Sequence, residues 1–139
     1  MSLLGFVSFV SFLIMLPKEY RLKRMKDFEI LFKEGSFVAS DLVTAKIWKI
    51  NPEKYPKRKY SQADLKIGFV AGLKVRKIAV SRNRIKRQMR EIVRLLLREE
   101  KIRPGFMLAF VAKPAAVGQD YAGLEKSILA ILRQARLLK

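Results

Sequence analysis

Between Met25 and Glu34 the apolar residues Met25, Phe28, Leu31 and Phe32 recur at three- and four-residue intervals, the spacing of one helix face. Asp27 sits near the start of that segment, where the helix dipole favours an anion, and Gly35 follows it as a candidate C′ residue. The period then changes to two. Across residues 42–50, Val43, Ala45 and Ile47 share one face of a predicted strand, while Thr44, Lys46 and Trp48 share the other. Residues 51–64 carry two Pro, two Tyr and four Lys or Arg, which predicts a loop long enough to be mobile. A second strand follows over residues 66–71. Residues 72–80, with Lys74, Arg76 and Lys77, lead on to the next element.

Ser81 is placed to cap a helix over residues 82–99. Pro104 and Gly105 break the pattern, and "FMLAFVA" at 106–112 is a continuous apolar run of strand length, which predicts a central strand buried on both faces. Pro114 ends it. A last helix is predicted over residues 121–137, with Leu124, Ile128, Ile131 and Leu132 as its core stripe. With a further strand placed before the second helix, the order is α-β-β-β-α-β-α. A helix between two strands is a crossover, so the expected fold is a small α/β (α+β) sandwich whose four-stranded mixed sheet holds a parallel pair.

The helix over residues 82–99 is the most specific segment. On a helical wheel Ile85, Met89, Ile92, Val93 and Leu96 gather on one side. Arg87, Arg90, Arg94 and Arg98 line the opposite side, with Arg84 near its edge. Arg82, Asn83 and Lys86 add donors at the start, where unpaired backbone N–H groups favour phosphate. Arg outnumbers Lys six to one, and guanidinium groups hold phosphate through paired bonds and stack on bases. A merely solvated helix would alternate charge sign to form i,i+4 pairs, yet Glu91 and Glu99 are its only acids. A helix that reads DNA is one alternative to a helix that grips RNA, and a structural RNA-binding protein of ribosomal type, without a catalytic partner, is the rival reading of the whole chain.

Composition sharpens this picture. The 139 residues suit one domain, and 30 Lys and Arg against 12 Asp and Glu give a formal charge of +18. So basic a body calls for a polyanion, with nucleic acid first and an anionic membrane surface second. There is no Cys and no His. Thiolate nucleophiles, disulfides, Cys/His zinc sites and a His general base are thereby excluded, which points to a binding protein rather than a self-contained nuclease. Residues 1–14 are apolar and uncharged, too short to span a bilayer and without the basic flank of a signal peptide. They are expected to form an N-terminal extension outside the fold, which should occupy 15–139. "MLPKEYRLKRMKDF" from Met15 reads like the true start, and a membrane anchor is the rival reading.

Four stretches, in order, resemble the bacterial ribonuclease P protein family: "RLKRMKDFEILFKEG" at 21–35, "IGFVAGLKV" at 67–75, "RNRIKRQMREIVR" at 82–94 and "FVAKPAA" at 110–116. The resemblance implies a ribosomal-protein-like fold with a left-handed βαβ crossover. It implies that the RNR helix, through Arg82, Asn83, Arg84, Lys86, Arg87, Arg90 and Arg94, binds the RNA subunit of ribonuclease P. It also implies that the first helix and the sheet face form a cleft for the single-stranded 5′ leader of precursor tRNA. Phe28 and Phe32, one turn apart, are candidates to stack on leader bases or to pack in the core. Trp48 suits the cleft or plain burial, while Lys46 and Lys74 are candidate contacts at the same cleft. Chemistry falls to the RNA with bound Mg²⁺, no protein metal site or further protein partner is implied, and the location is cytoplasmic. Three departures stand out: the turn before the RNR helix reads "AGLKVRK" at 71–77, Lys46 stands where a Tyr is common, and the 51–64 loop is longer than usual.

Overall fold

Seven apolar residues in a row can be buried only at the centre of a sheet, and that is where they lie. In the computed structural model, which describes residues 16–71 and 79–139, β4 (Phe106–Ala112) runs between β2 (Val43–Lys49) and β3 (Leu65–Ala71), and β1 (Ser36–Ala39) pairs with β2 at the edge. The order is β1-β2-β4-β3; β3 and β4 are parallel and the other pairs antiparallel. A parallel neighbour requires a crossover, which α2 (Ala79–Arg98) supplies; α1 (Met25–Glu34) precedes the sheet and α3 (Tyr121–Gln134) follows it.

The alternation along the strands sorts the core into two layers. Val43, Ala45, Ile47, Ile67, Leu108 and Phe110 face α2 and α3, where Met89, Ile92, Val93, Leu124, Ile128 and Leu132 close the larger core. Trp48, Met107 and Ala109 point the other way and meet Ile30 and Leu31 of α1. Each of those two α1 side chains contributes about 1.5–3 kcal/mol by leaving water. Ten residues cannot roof a four-stranded sheet. Ala109 and Gly68 are covered, but Phe37 and Lys46 in the same cross-strand row, and the next row Ala39, Thr44, Val111, Val70, run out from under α1. Phe37 on this open face is 64% exposed, and Phe32, one turn after Phe28 on α1, is 45% exposed.

The element order is the expected one, but β1 was not foreseen: its four residues are exposed or half-buried and carry no apolar alternation. The strand expected between Ala71 and the second helix falls on 72–78, outside the described residues. Three expectations change. The arginine helix begins at Ala79, so Ser81 lies inside it and is not its cap. Gly35 ends α1 with φ −75°, not in the left-handed region; it is required because a Cβ there would lie 2.5 Å from the Leu31 carbonyl oxygen. The 51–64 loop is tied to α1 rather than loose. Lys74 and the 1–14 extension lie outside the described residues. Among those described, no helix is long and apolar enough to cross a membrane.

Candidate nucleic-acid interface

The chain approaches α1 along the outer edge of β3: Leu22 N–H donates to the Ile67 carbonyl at 3.1 Å, and Arg21 pairs with Ile67 in a parallel bridge. That bridge buries Leu22 and leaves Arg21 and Lys23 beside the strand. One turn into α1, the Phe28 ring settles over Gly68, where a Cβ would lie 2.9 Å from the ring. The absence of a side chain at Gly68 is what lets Phe28 lie against the sheet.

These elements enclose a cavity of about 300 Å³ that wraps the edge of β3. Its apolar wall comes from Leu22, Phe28, Ile67 and Phe69, and Phe69 is itself stacked on Phe110 at 5.9 Å and 16°. Arg21, Lys23, Lys86 and Arg90 supply its charge, and no carboxylate is among the described residues that line it. An aromatic wall rimmed by cations and unopposed by acid can stack a base while neutralising its phosphate.

The structure thus brings Phe28 together with Lys86 and Arg90 and disperses the other predicted residues. Arg87 is exposed on the outer side of α2, as is Asn83. Arg84 lines a separate hollow with Gln88 and residues 116–119. Arg82 is half-buried. Arg94 is also half-buried, its Nε covered and without a hydrogen-bond partner, so it is not the open rung of a stripe that the wheel suggests. Lys46 lies on the open sheet face between Phe37 and Ala109. Trp48 does not reach the cleft: it is 7% exposed beneath Tyr55 and Tyr60, which meet it edge-on at 5.9 and 5.7 Å. Arg21, Lys23 and Phe69 were missed as site residues, although the first two stand in the "RLK" segment and the parallel bridge alone brings them to β3.

The loop that covers Trp48 is held by two carboxylates seven residues apart on one side of α1. Arg58 Nη2 and Tyr60 OH both donate to Asp27 Oδ1, at 2.6 and 2.5 Å. Lys54 Nζ and Tyr55 OH donate to the two Glu34 oxygens at 2.6 and 2.9 Å. The Lys54 and Tyr55 bonds hold the Glu34 carboxyl below its ordinary range, so its contribution to folding is present at neutral pH and fades as pH drops through that lowered value. Burial, and then the bond to Asp27, push the Tyr60 hydroxyl up to about 12 from an ordinary value of 10.0. A raised value means that the folded state keeps its proton longer. Its contribution is complete below the ordinary value and is lost as pH climbs through about 12. Tyr60→Phe should lower stability by about 1.5–3 kcal/mol at neutral pH. It should also flatten the alkaline fall of the urea midpoint relative to the parent; parallel pH profiles would refute the assignment.

Comparison with known proteins follows the same outline. The family model described as Ribonuclease P matches residues 16–136. The ribonuclease P protein component of Cyanothece sp. is 33% identical over 137 residues, covering 89% of this chain and 98% of that protein. The same component of Lactobacillus johnsonii is 33% identical over 121 residues, covering 87% and 90%. The structure of the Staphylococcus aureus RNase P protein superposes with a TM-score of 0.69 at 22% identity, over 88% of this chain and all of that one, a likeness of fold.

Proposed function

This chain belongs to the ribonuclease P protein family and is a subunit of ribonuclease P with the ribonuclease P RNA as its partner, and we propose that it divides two RNA-binding tasks between two sides of its sheet. The outer surface of α2, with Arg82, Asn83, Arg84 and Arg87, grips the RNA subunit, and Arg90 at the edge of the cavity reaches both RNAs. The cavity at β3 and the open sheet face beside it, with Phe28, Phe32, Lys46, Lys86 and Arg90, take the single-stranded 5′ leader of precursor tRNA. Trp48 acts from below, by holding the loop against α1. The observation that carries this reading is the cavity in which Phe28 meets Lys86 and Arg90 with no acid among its described lining.

Hydrolysis of the phosphodiester bond is assigned to the RNA subunit. The sequence offers neither His nor Cys, and Asp27, one residue before Phe28, is already engaged by Arg58 and Tyr60. Magnesium bound on the RNA supplies the activated water. The protein's part is to neutralise phosphate and to position the leader, work suited to the cytoplasm, where precursor tRNA is made.

The test is cleavage. Adding the protein should lower the Mg²⁺ that ribonuclease P RNA needs to remove a 5′ leader. A cleavage rate at low Mg²⁺ that ignores the protein, or hydrolysis by the protein alone, would overturn the reading. Phe32 is exposed enough to be removed without disturbing the core. Phe32→Ala should weaken binding of leader-bearing precursor about tenfold, from one lost base stack of about 1–3 kcal/mol, and leave mature tRNA unaffected. Equal losses on both RNAs would contradict that role.

A further inference from the structure

Next to the β3 cavity lies a second hollow, of about 320 Å³, where the chain entering α1, the 51–64 loop and β3 converge. Arg21 and Lys23 line both, so the two are continuous. Lys18, Arg24, Lys59 and Lys66 extend the positive wall, and Arg58 completes seven cations against two carboxylates. The two carboxylates leave the basin strongly positive. Asp27 is taken by Arg58 at 2.6 Å, and Asp64 accepts the Ser61 N–H at 2.9 Å within its own turn. Among the described ion pairs, none involves Lys18, Arg24, Lys59 or Lys66.

The basin is built rather than a chance crowding of side chains. Arg58 and Tyr60 fix the loop to α1, and Lys59 between them adopts φ 56°, an αL conformation that a lysine takes only where neighbouring contacts impose it. The start of α1 adds to the field, since Arg24 at its N-cap provides no side-chain cap for the first N–H groups. The wall includes one aromatic ring, Tyr60, whose hydroxyl is bound to Asp27. A surface of this kind neutralises successive phosphates without reading bases.

We propose that this basin binds the phosphodiester backbone of the 5′-distal part of the precursor leader, continuing the strand whose bases occupy the Phe28 cavity. The proposal rests on the leader reading above. It makes leader length, rather than leader sequence, what the 51–64 loop senses.

The experiment compares holoenzyme binding to a precursor with a single-nucleotide leader and to one with about ten nucleotides, within the span that single-strand grooves cover. The test variant is Lys18→Gln with Arg24→Gln and Lys59→Asn; all three side chains are exposed, and Asn tolerates the positive φ at 59. Expected is a loss of about tenfold to a hundredfold for the long leader, with a salt slope shallower by about 2 for three lost contacts. Affinity for the single-nucleotide precursor and for the RNA subunit should stay as in the parent. An equal loss on both precursors, weakened assembly with the RNA subunit, or no change would each overturn the basin. So would a loss in the charge-conserving set Lys18→Arg, Arg24→Lys and Lys59→Arg, because fold and not charge would then be responsible. If the parent holoenzyme itself fails to distinguish the two precursors, the leader reading fails first; if it distinguishes them and the variant does so equally well, only the basin fails.

Discussion

The double variant Arg87→Ala/Arg90→Ala should bind ribonuclease P RNA about a hundredfold more weakly than the parent, with a salt slope shallower by about 1.4–1.8. Each guanidinium that neutralises a phosphate through charge-assisted bonds contributes about 1.5–3 kcal/mol. Arg87 is exposed and Arg90 lines the cavity, so neither belongs to the core and the fold should hold. A thermal melt within about 0.5 kcal/mol of the parent is the control. The single variants should separate the two tasks. Arg87→Ala should act on RNA-subunit affinity alone, since Arg87 lies away from the cavity. Arg90→Ala should also weaken leader-bearing precursor, because that side chain shares the cavity with Phe28. Identical profiles for both single variants would mean that the two surfaces are one.

Phe110→Ala should lower folding stability by about 3–5 kcal/mol, a large share of the total for a domain of this size. Phe110 is fully buried on the central strand, lies between Ala45 and Phe69 in the cross-strand register, and stacks on the Phe69 ring. Its loss leaves a void in the larger core and removes the support behind one wall of the cavity. Urea unfolding should show an earlier midpoint with little change in slope. Ribonuclease P RNA at high concentration should restore part of the stability, because it binds only the folded chain. A loss below about 1 kcal/mol would show that the core collapses around the gap, and the cavity wall would then owe nothing to Phe110.

The ten residues of α1 were legible as a helix from the spacing of Met25, Phe28, Leu31 and Phe32, but the buried face was only half right: Met25 and Phe32 are exposed, and Ile30 is buried beside Leu31. The burial of Ile85, Met89, Ile92 and Val93 is what the helical wheel of α2 implies. The apolar run of β4 allowed only a central position. β1 was not legible: a four-residue edge strand with one face in water leaves no alternation to detect. The start of α2 was misplaced because Ser81 is as good a cap by composition as it is an ordinary helical residue. The loop over 51–64 looked loose because Pro, Lys and Tyr are loop residues by composition. Its order comes from Asp27 and Glu34, twenty or more residues before their partners, and nothing local announces such partners.

Spacing, charge and residue chemistry alone determined that this protein is a basic α/β domain with a guanidinium-bearing helix suited to a polyanion, because periodicity and charge belong to the residues themselves. The choice of RNA came from the resemblance of four stretches to the ribonuclease P proteins. Only the tertiary structure decided which cations act together. Phe28, Arg21, Lys86 and Arg90 come from three separate elements, and they converge because Gly68 admits a ring and the "RLK" segment bridges to β3. The same packing withdrew Trp48 from the cleft and brought the 51–64 loop to the start of α1. Contacts between distant segments depend on how the layers stack, and that stacking is a property of the whole core.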